Sequence, residues 1–245
     1  MPHSSRTAIV TGASRGIGHA IAKRLAQAGF SVAIQYAHSR GPAEALVAEI
    51  ESLGGNALAV RGDVATLEDV QTLFKAAKEA YGRIDIVVNS AGIMTNTPVS
   101  AGDLEAFDRM MAVNLRGTFL MLSQAAQQVE RGGRIIALSS SVIAKSLPTY
   151  GPYIATKAGV EGLVRVLANE LRGQDITVNA VAPGPVATEL FLNDKSEEQI
   201  RQIEQATPLE RLGTPEDIAE VVAFLASPAG SWINAQVIRA NGGFA

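Results

Sequence analysis

The chain has 245 residues, 47% of them hydrophobic and 18% charged, with a formal net charge of −3 and no cysteine. That composition supports a large core and excludes disorder over most of the length, disulfides and thiolate metal sites. Lys and Arg are scattered, no apolar run reaches a membrane span, and residues 1–7 lack the apolar core of a signal peptide. A soluble cytoplasmic protein with no nucleic-acid or membrane partner is therefore expected.

In chain order, Ala8-Ile9-Val10 reads as a strand, followed by Thr11-Gly12-Ala13-Ser14-Arg15-Gly16-Ile17-Gly18 and a helix over 19–28. Strand, glycine-rich turn and helix together point free backbone N–H groups and a helix N-terminus at a phosphate. Gly12 permits the tight turn, Gly16 lets the backbone approach a ligand, and Gly18 lets the helix pack closely on the strand. A second strand is expected over 30–36, a helix over 43–53 and a third strand over 57–60. After the second strand, the segment Gln35-Tyr36-Ala37-His38-Ser39-Arg40 holds no carboxylate to accept bonds from an adenosine ribose. Arg15, Ser39 and Arg40 instead offer cationic and hydroxyl donors suited to a 2′-phosphate, so the spacing favours NADP(H). Asp63-Val64 stand where an adenine would lie, Asp63 accepting its exocyclic amine. Asp63 would serve equally as the N-cap of a helix over 67–81, with Thr66 better placed for that task.

The fourth strand, 84–88, ends in Asn89-Ser90-Ala91-Gly92, whose small side chains leave room for a ligand in the crevice. A long helix over 103–129 carries Asn114 between Val113 and Leu115, an amide out of place in a helix interior. It is expected to bend the helix and hold a water. The fifth strand, 133–138, runs into Ser139-Ser140-Ser141. Tyr153 sits at the mouth of a helix over 156–171, and Lys157, four residues on, shares its face. An ammonium there favours the phenolate, lowers the tyrosine pKa and makes Tyr153 an acid or base for neutral pH. The sixth strand, 175–181, leads into Pro183-Gly184-Pro185-Val186-Ala187-Thr188. The polar, helix-prone stretch 188–212, with Phe191, Ile200 and Ile203, is expected to form a lid. A helix over 215–226 capped by Thr214 and a strand over 235–239 complete a single α/β domain. Its sheet is expected to be parallel and covered on both faces.

Taken jointly, the glycine turn, Asn89-Ser90-Ala91-Gly92, Asn114, Ser140, Tyr153, Lys157 and Pro183-Gly184 resemble the short-chain dehydrogenase/reductase family, in order from Arg6 to Gly243. The resemblance implies a Rossmann-type doubly wound sheet of seven parallel strands, a nicotinamide cofactor, a tetrad of Asn114, Ser140, Tyr153 and Lys157 without metal, and a homotetramer. Ser140 lies at the family's spacing before the tyrosine, with Ser139 and Ser141 as neighbours. Tyr150 competes with Tyr153, but Ile154 stands where its lysine would be. The family pattern further implies that Lys157 binds the nicotinamide ribose and that Asn114 anchors a water linking Lys157 to solvent. Thr188 and the Val186 backbone would hold the carboxamide. Ala235 replaces a glycine frequent in relatives. The substrate implied is a small carbonyl or alcohol. Ile93, Met94, Val142, Tyr150, Leu190 and Phe191 would line an apolar pocket for hydrophobic ketones. One subgroup reduces 3-oxoacyl chains on acyl carrier protein, docked by basic residues. Arg131 matches one of these, whereas the other falls at Gln174, followed by Asp175, with only Arg172 near. A non-catalytic NADP-binding protein is the third reading.

Overall fold

The computed structural model describes residues 6–193 and 195–245. The first five residues, read above for a leader, and Asp194, in the expected lid, lie outside the described residues. The strands are β1 (Thr7–Thr11), β2 (Ser31–Tyr36), β3 (Asn56–Arg61), β4 (Ile86–Asn89), β5 (Arg134–Leu138), β6 (Thr177–Pro183) and β7 (Val237–Ala240). The α-helices are α1 (Gly16–Gln27), α2 (Arg40–Ser52), α3 (Leu67–Tyr81), α4 (Leu104–Met110), α5 (Gly117–Gln128) and α6 (Gly151–Glu170), then α7 (Glu189–Leu192), α8 (Glu197–Ala206) and α9 (Pro215–Ala226).

All seven strands form one parallel sheet in the order β3-β2-β1-β4-β5-β6-β7. Strand residues alternate in direction, so β1 sends Ala8 and Val10 to one face and Ile9 to the other. Helices α1, α2 and α9 cover the first face, and α3, α5 and α6 the second. That double cover is why β1, β2, β5 and β6 are buried at every position and read as nearly continuous apolar runs. The chain leaves β1 toward β2 and β3, then crosses back to β4, so the ends of β1 and β4 diverge into a crevice. Thr11 fixes their register: its hydroxyl donates to Asn89 Oδ1 at 2.7 Å and accepts from Ser90 N and Ala91 N at 3.1 Å.

Several expectations are corrected. Helix α1 starts at Gly16, so two glycines of the turn belong to its first turn. Helix α6 begins at Gly151, five residues before the expected start, because Pro152 fits a first helical turn where no N–H is needed. Tyr153 and Lys157 therefore both lie within it. The expected helix 103–129 is three pieces: α4, a π-helical turn Met111–Arg116 holding the fully buried Asn114, and α5. The stretch 188–212 splits into α7 and α8, the latter opened by a Ser196–Gln199 capping box. Ala235 stands at φ +59°, left-handed backbone that costs a residue with a Cβ about 1 kcal/mol. Glycine in that place would relieve it.

Candidate active site

The crevice opens into a cavity of about 620 Å³. Gly12, Ser14, Arg15, Gly16, Ile17, Gly18, Tyr36, Ser39, Asp63, Val64, Ala91, Gly92, Pro183, Gly184, Val186 and Thr188 all line it, as do Ser140, Tyr153 and Lys157. Ile93, Met94, Val142, Tyr150, Leu190 and Phe191 line it as well. Three residues do not. Asn89 is buried, its side chain spent on Thr11 and on Thr118 Oγ1 at 2.8 Å, and Ser90 faces the cavity in its place. Arg40 bonds Glu44 at 2.7 Å one turn along α2, on the exposed surface. Asn114 lies buried behind the wall.

The shape of the turn fits a dinucleotide diphosphate. Gly12 sits at φ +63°, and a Cβ on it would come within 2.8 Å of Ala91 Cα. A Cβ on Gly18 would lie 2.4 Å from Gly12 O, so helix and strand meet with backbone against backbone. Gln35 locks the turn from below, accepting from Gly12 N at 2.9 Å and donating to Gly62 O. Asp63 Oδ1 accepts from Ala65 N at 2.9 Å, and Thr66 is the N-cap residue of α3.

At the other end, the Ser140 hydroxyl, which accepts from Val142 N at 3.4 Å, lies near enough to the Tyr153 hydroxyl to favour its ionised form. Helix α6 supplies Tyr153 and Lys157, and Lys157 Nζ donates to Leu138 O at 2.8 Å, tying helix to strand β5. Asn114 clamps the loop after β4, its Oδ1 accepting from Ile93 N and its Nδ2 donating to Ile93 O, both at 2.8 Å. A third bond, from Nδ2 to Thr156 Oγ1 at 3.3 Å, reaches α6. With its amide so engaged, the Asn114 side chain positions rather than reacts. A Cβ on Gly92 would lie 3.4 Å from Asn114 Oδ1 and 3.5 Å from Lys157 Nζ, so the glycine keeps a space between them.

The expected lowering of the Tyr153 pKa by Lys157 is not what the surroundings produce. Burial pushes the phenol up to about 12, with the Ser140 hydroxyl acting against it. Its ring keeps an edge open to the cavity, which moderates the shift but not its direction. Lys157 Nζ stands 5.7 Å from the ring centroid and spends a proton on Leu138 O. Burial in turn lowers Lys157 from 10.5 to about 8. Desolvation, invisible in a sequence, outweighs the pairing. Tyr153 is thus a protonated phenol at neutral pH, suited to giving a proton.

The lysine shift has a stability consequence. Between its folded and unfolded pKa values the unfolded chain holds more protons, so stability rises with pH across that window. Relative to Lys157→Met, the parent should gain melting temperature between about pH 8 and about pH 10.5. A constant difference over that range would contradict a buried, destabilised ammonium.

The sequence reading missed several cavity residues. Gln35 left a trace as a polar side chain in an apolar strand. Leu147 and Phe244 extend the apolar wall from two distant segments, beside Ile203 of the expected lid. Glu189, which faces Arg15 at 2.8 Å, had no signal short of the fold. Among the described residues, no group of three metal-binding side chains occurs, and no helix is long and apolar enough to cross a membrane.

A family model described as Enoyl-(Acyl carrier protein) reductase matches residues 12–245. The NADPH-dependent aldehyde reductase 2, chloroplastic, of Arabidopsis thaliana is 42% identical, covering 98% of this chain and 94% of the relative. A 3-oxoacyl-[acyl-carrier-protein] reductase of Staphylococcus aureus is also 42% identical, covering 98% of each. The crystal structure of a short-chain dehydrogenase from Burkholderia cenocepacia in complex with NADP superposes with a TM-score of 0.93 at 36% identity, over 98% of this chain and 97% of that one.

Proposed function

The chain belongs to the short-chain dehydrogenase/reductase family, and we propose that within it the protein is an NADP(H)-dependent reductase of hydrophobic aldehydes and ketones. The observation that carries this reading is that Ser140 and the Tyr153 hydroxyl share an apolar-walled cavity with a diphosphate-shaped turn. When bound, NADPH supplies a hydride. Gly12, Ser14, Arg15, Gly16, Ile17 and Gly18 would hold the cofactor's phosphates, with Tyr36, Ser39, Asp63 and Val64 at its adenosine. Ala91, Gly92, Pro183, Gly184, Val186 and Thr188 would flank its other half. As negative charge grows on the substrate's carbonyl oxygen, Ser140 donates a hydrogen bond to it and Tyr153 gives it a proton. Lys157, already an ammonium near the ring, stabilises the phenolate left behind, and Asn114 holds the loop and helix that aim them. The wall of Ile93, Met94, Val142, Tyr150, Leu190 and Phe191 selects apolar substrates. The same family reading includes assembly into a homotetramer, in which exposed apolar side chains such as Phe119 on α5 and Val166 on α6 would be candidates for burial.

The resemblance to a carrier-protein reductase favours a second reading, reduction of 3-oxoacyl chains on acyl carrier protein. The arginines count against it. Helix α6 is 20 residues long, about 30 Å, and runs from Tyr153 at the cavity to Arg172 beyond its far end. Arg131 bonds Gly173 O at that same end. Within one chain, a carrier docked there is remote from the cavity.

The test compares NADPH consumption with hydrophobic aldehydes and ketones against 3-oxoacyl thioesters of coenzyme A and of acyl carrier protein, with NADH run in parallel. Free carbonyls with NADPH are expected to react fastest. A strong preference for the carrier-bound thioester would establish the second reading, and equal rates with NADH would remove the phosphate from the account.

A further inference from the structure

Of the two arginines expected to read a 2′-phosphate, Arg40 is held on the surface by Glu44, and only Arg15 lines the cavity. Arg15, however, is not free to do so. Its Nη1 lies 2.8 Å from Glu189 Oε2, the first residue of α7. Arg15 follows β1 and Glu189 follows β6, and those strands are three places apart in the sheet, about 14 Å at ordinary strand spacing. The two side chains therefore meet across the mouth of the crevice. Ser39, the hydroxyl at the adenosine end, follows β2, on the opposite side of β1. A guanidinium reaching toward β6 points away from β2, so one pose serves Glu189 and another serves a phosphate beside Ser39.

We propose that Glu189 is a specificity-determining residue for the cofactor, competing with the 2′-phosphate for Arg15 and so restraining the preference for NADP(H) over NAD(H). The competition is modest in size because both partners are more than half exposed, Arg15 at 64% and Glu189 at 58% of their side chains. Exposed ion pairs of this kind shift an equilibrium by about two- to five-fold. The inference rests on the proposed role of Arg15 as the phosphate reader, and the experiment separates the two.

Calorimetric titration with adenosine 2′,5′-bisphosphate and with adenosine 5′-monophosphate reads the 2′-phosphate without turnover. Glu189→Gln should tighten the bisphosphate by about two- to five-fold and leave the monophosphate unchanged. Arg15→Ala should weaken the bisphosphate alone, and Arg15→Ala/Glu189→Gln should match Arg15→Ala. Equal tightening of both nucleotides by Glu189→Gln, or tightening that persists without Arg15, would overturn the competition while leaving Arg15 as the reader. Unchanged bisphosphate affinity in Arg15→Ala would overturn the reader itself, and the inference with it.

Discussion

Replacing Tyr153 by Phe should lower turnover about 10²- to 10⁴-fold, the usual worth of a positioned general acid. The expectation rests on where the hydroxyl is and what it costs to lose it. Phe keeps the ring that packs edge-on to Tyr150, with centroids 6.5 Å apart, so the wall of the cavity survives. Only the hydroxyl near Ser140 goes, and even a full net hydrogen bond there would be worth only about 1 kcal/mol of stability. The glycine turn is untouched, so cofactor affinity should stay within about two-fold of the parent. Because burial holds the phenol near 12, the parent's acid is loaded throughout the neutral range, and its reduction rate should not fall from loss of that proton below about pH 9. Steady-state kinetics beside a cofactor titration checks each part. Near-normal turnover in Tyr153→Phe would remove the proton donor from the account.

Gly18→Ala should be nearly as damaging, by another route. Its methyl group would sit 2.4 Å from Gly12 O, 2.9 Å from Gly12 C and 3.0 Å from Ala13 Cα. All three are backbone atoms, so no rotamer relieves the overlap and α1 must move off the turn. Overpacking of this kind costs about 1–3 kcal/mol. The displaced atoms are those proposed to hold the diphosphate, so cofactor affinity should fall by more than about ten-fold. Thermal unfolding with and without NADPH measures both, and parental affinity in Gly18→Ala would show that the turn does not form the phosphate site.

Both predictions rest on residues that were legible before the fold was known, and the reasons differ. Tyr153, Lys157 and Ser140 were found by local spacing and by the resemblance those spacings carry. The strands were found because a sheet covered on both faces needs unbroken apolar runs, and α9 because Thr214 caps it through a side-chain bond to Asp217 N at 3.2 Å. Contacts between distant segments were not legible. Arg15 and Glu189 are 174 residues apart, and only the switch in strand order brings β1 and β6 to one mouth. The π-helical turn at Asn114 was hidden because an inserted residue hardly disturbs the apolar pattern of so long a helix. Desolvation of Lys157 and Tyr153 depends on what surrounds them in space, so the direction of the tyrosine shift was misread. Arg40 is the exception: its partner Glu44, four residues on, was visible in the sequence all along.

The central claim is that Tyr153 gives the proton while NADPH gives the hydride to a carbonyl. The most direct measurement mixes NADPH-loaded protein with a hydrophobic aldehyde in a single turnover, parent and Tyr153→Phe side by side, counting NADPH lost and alcohol formed. The account predicts one alcohol per NADPH in the parent and a transient slowed at least about 10²-fold in the variant. Equal transients in the two proteins, or NADPH bound and never consumed, would contradict it.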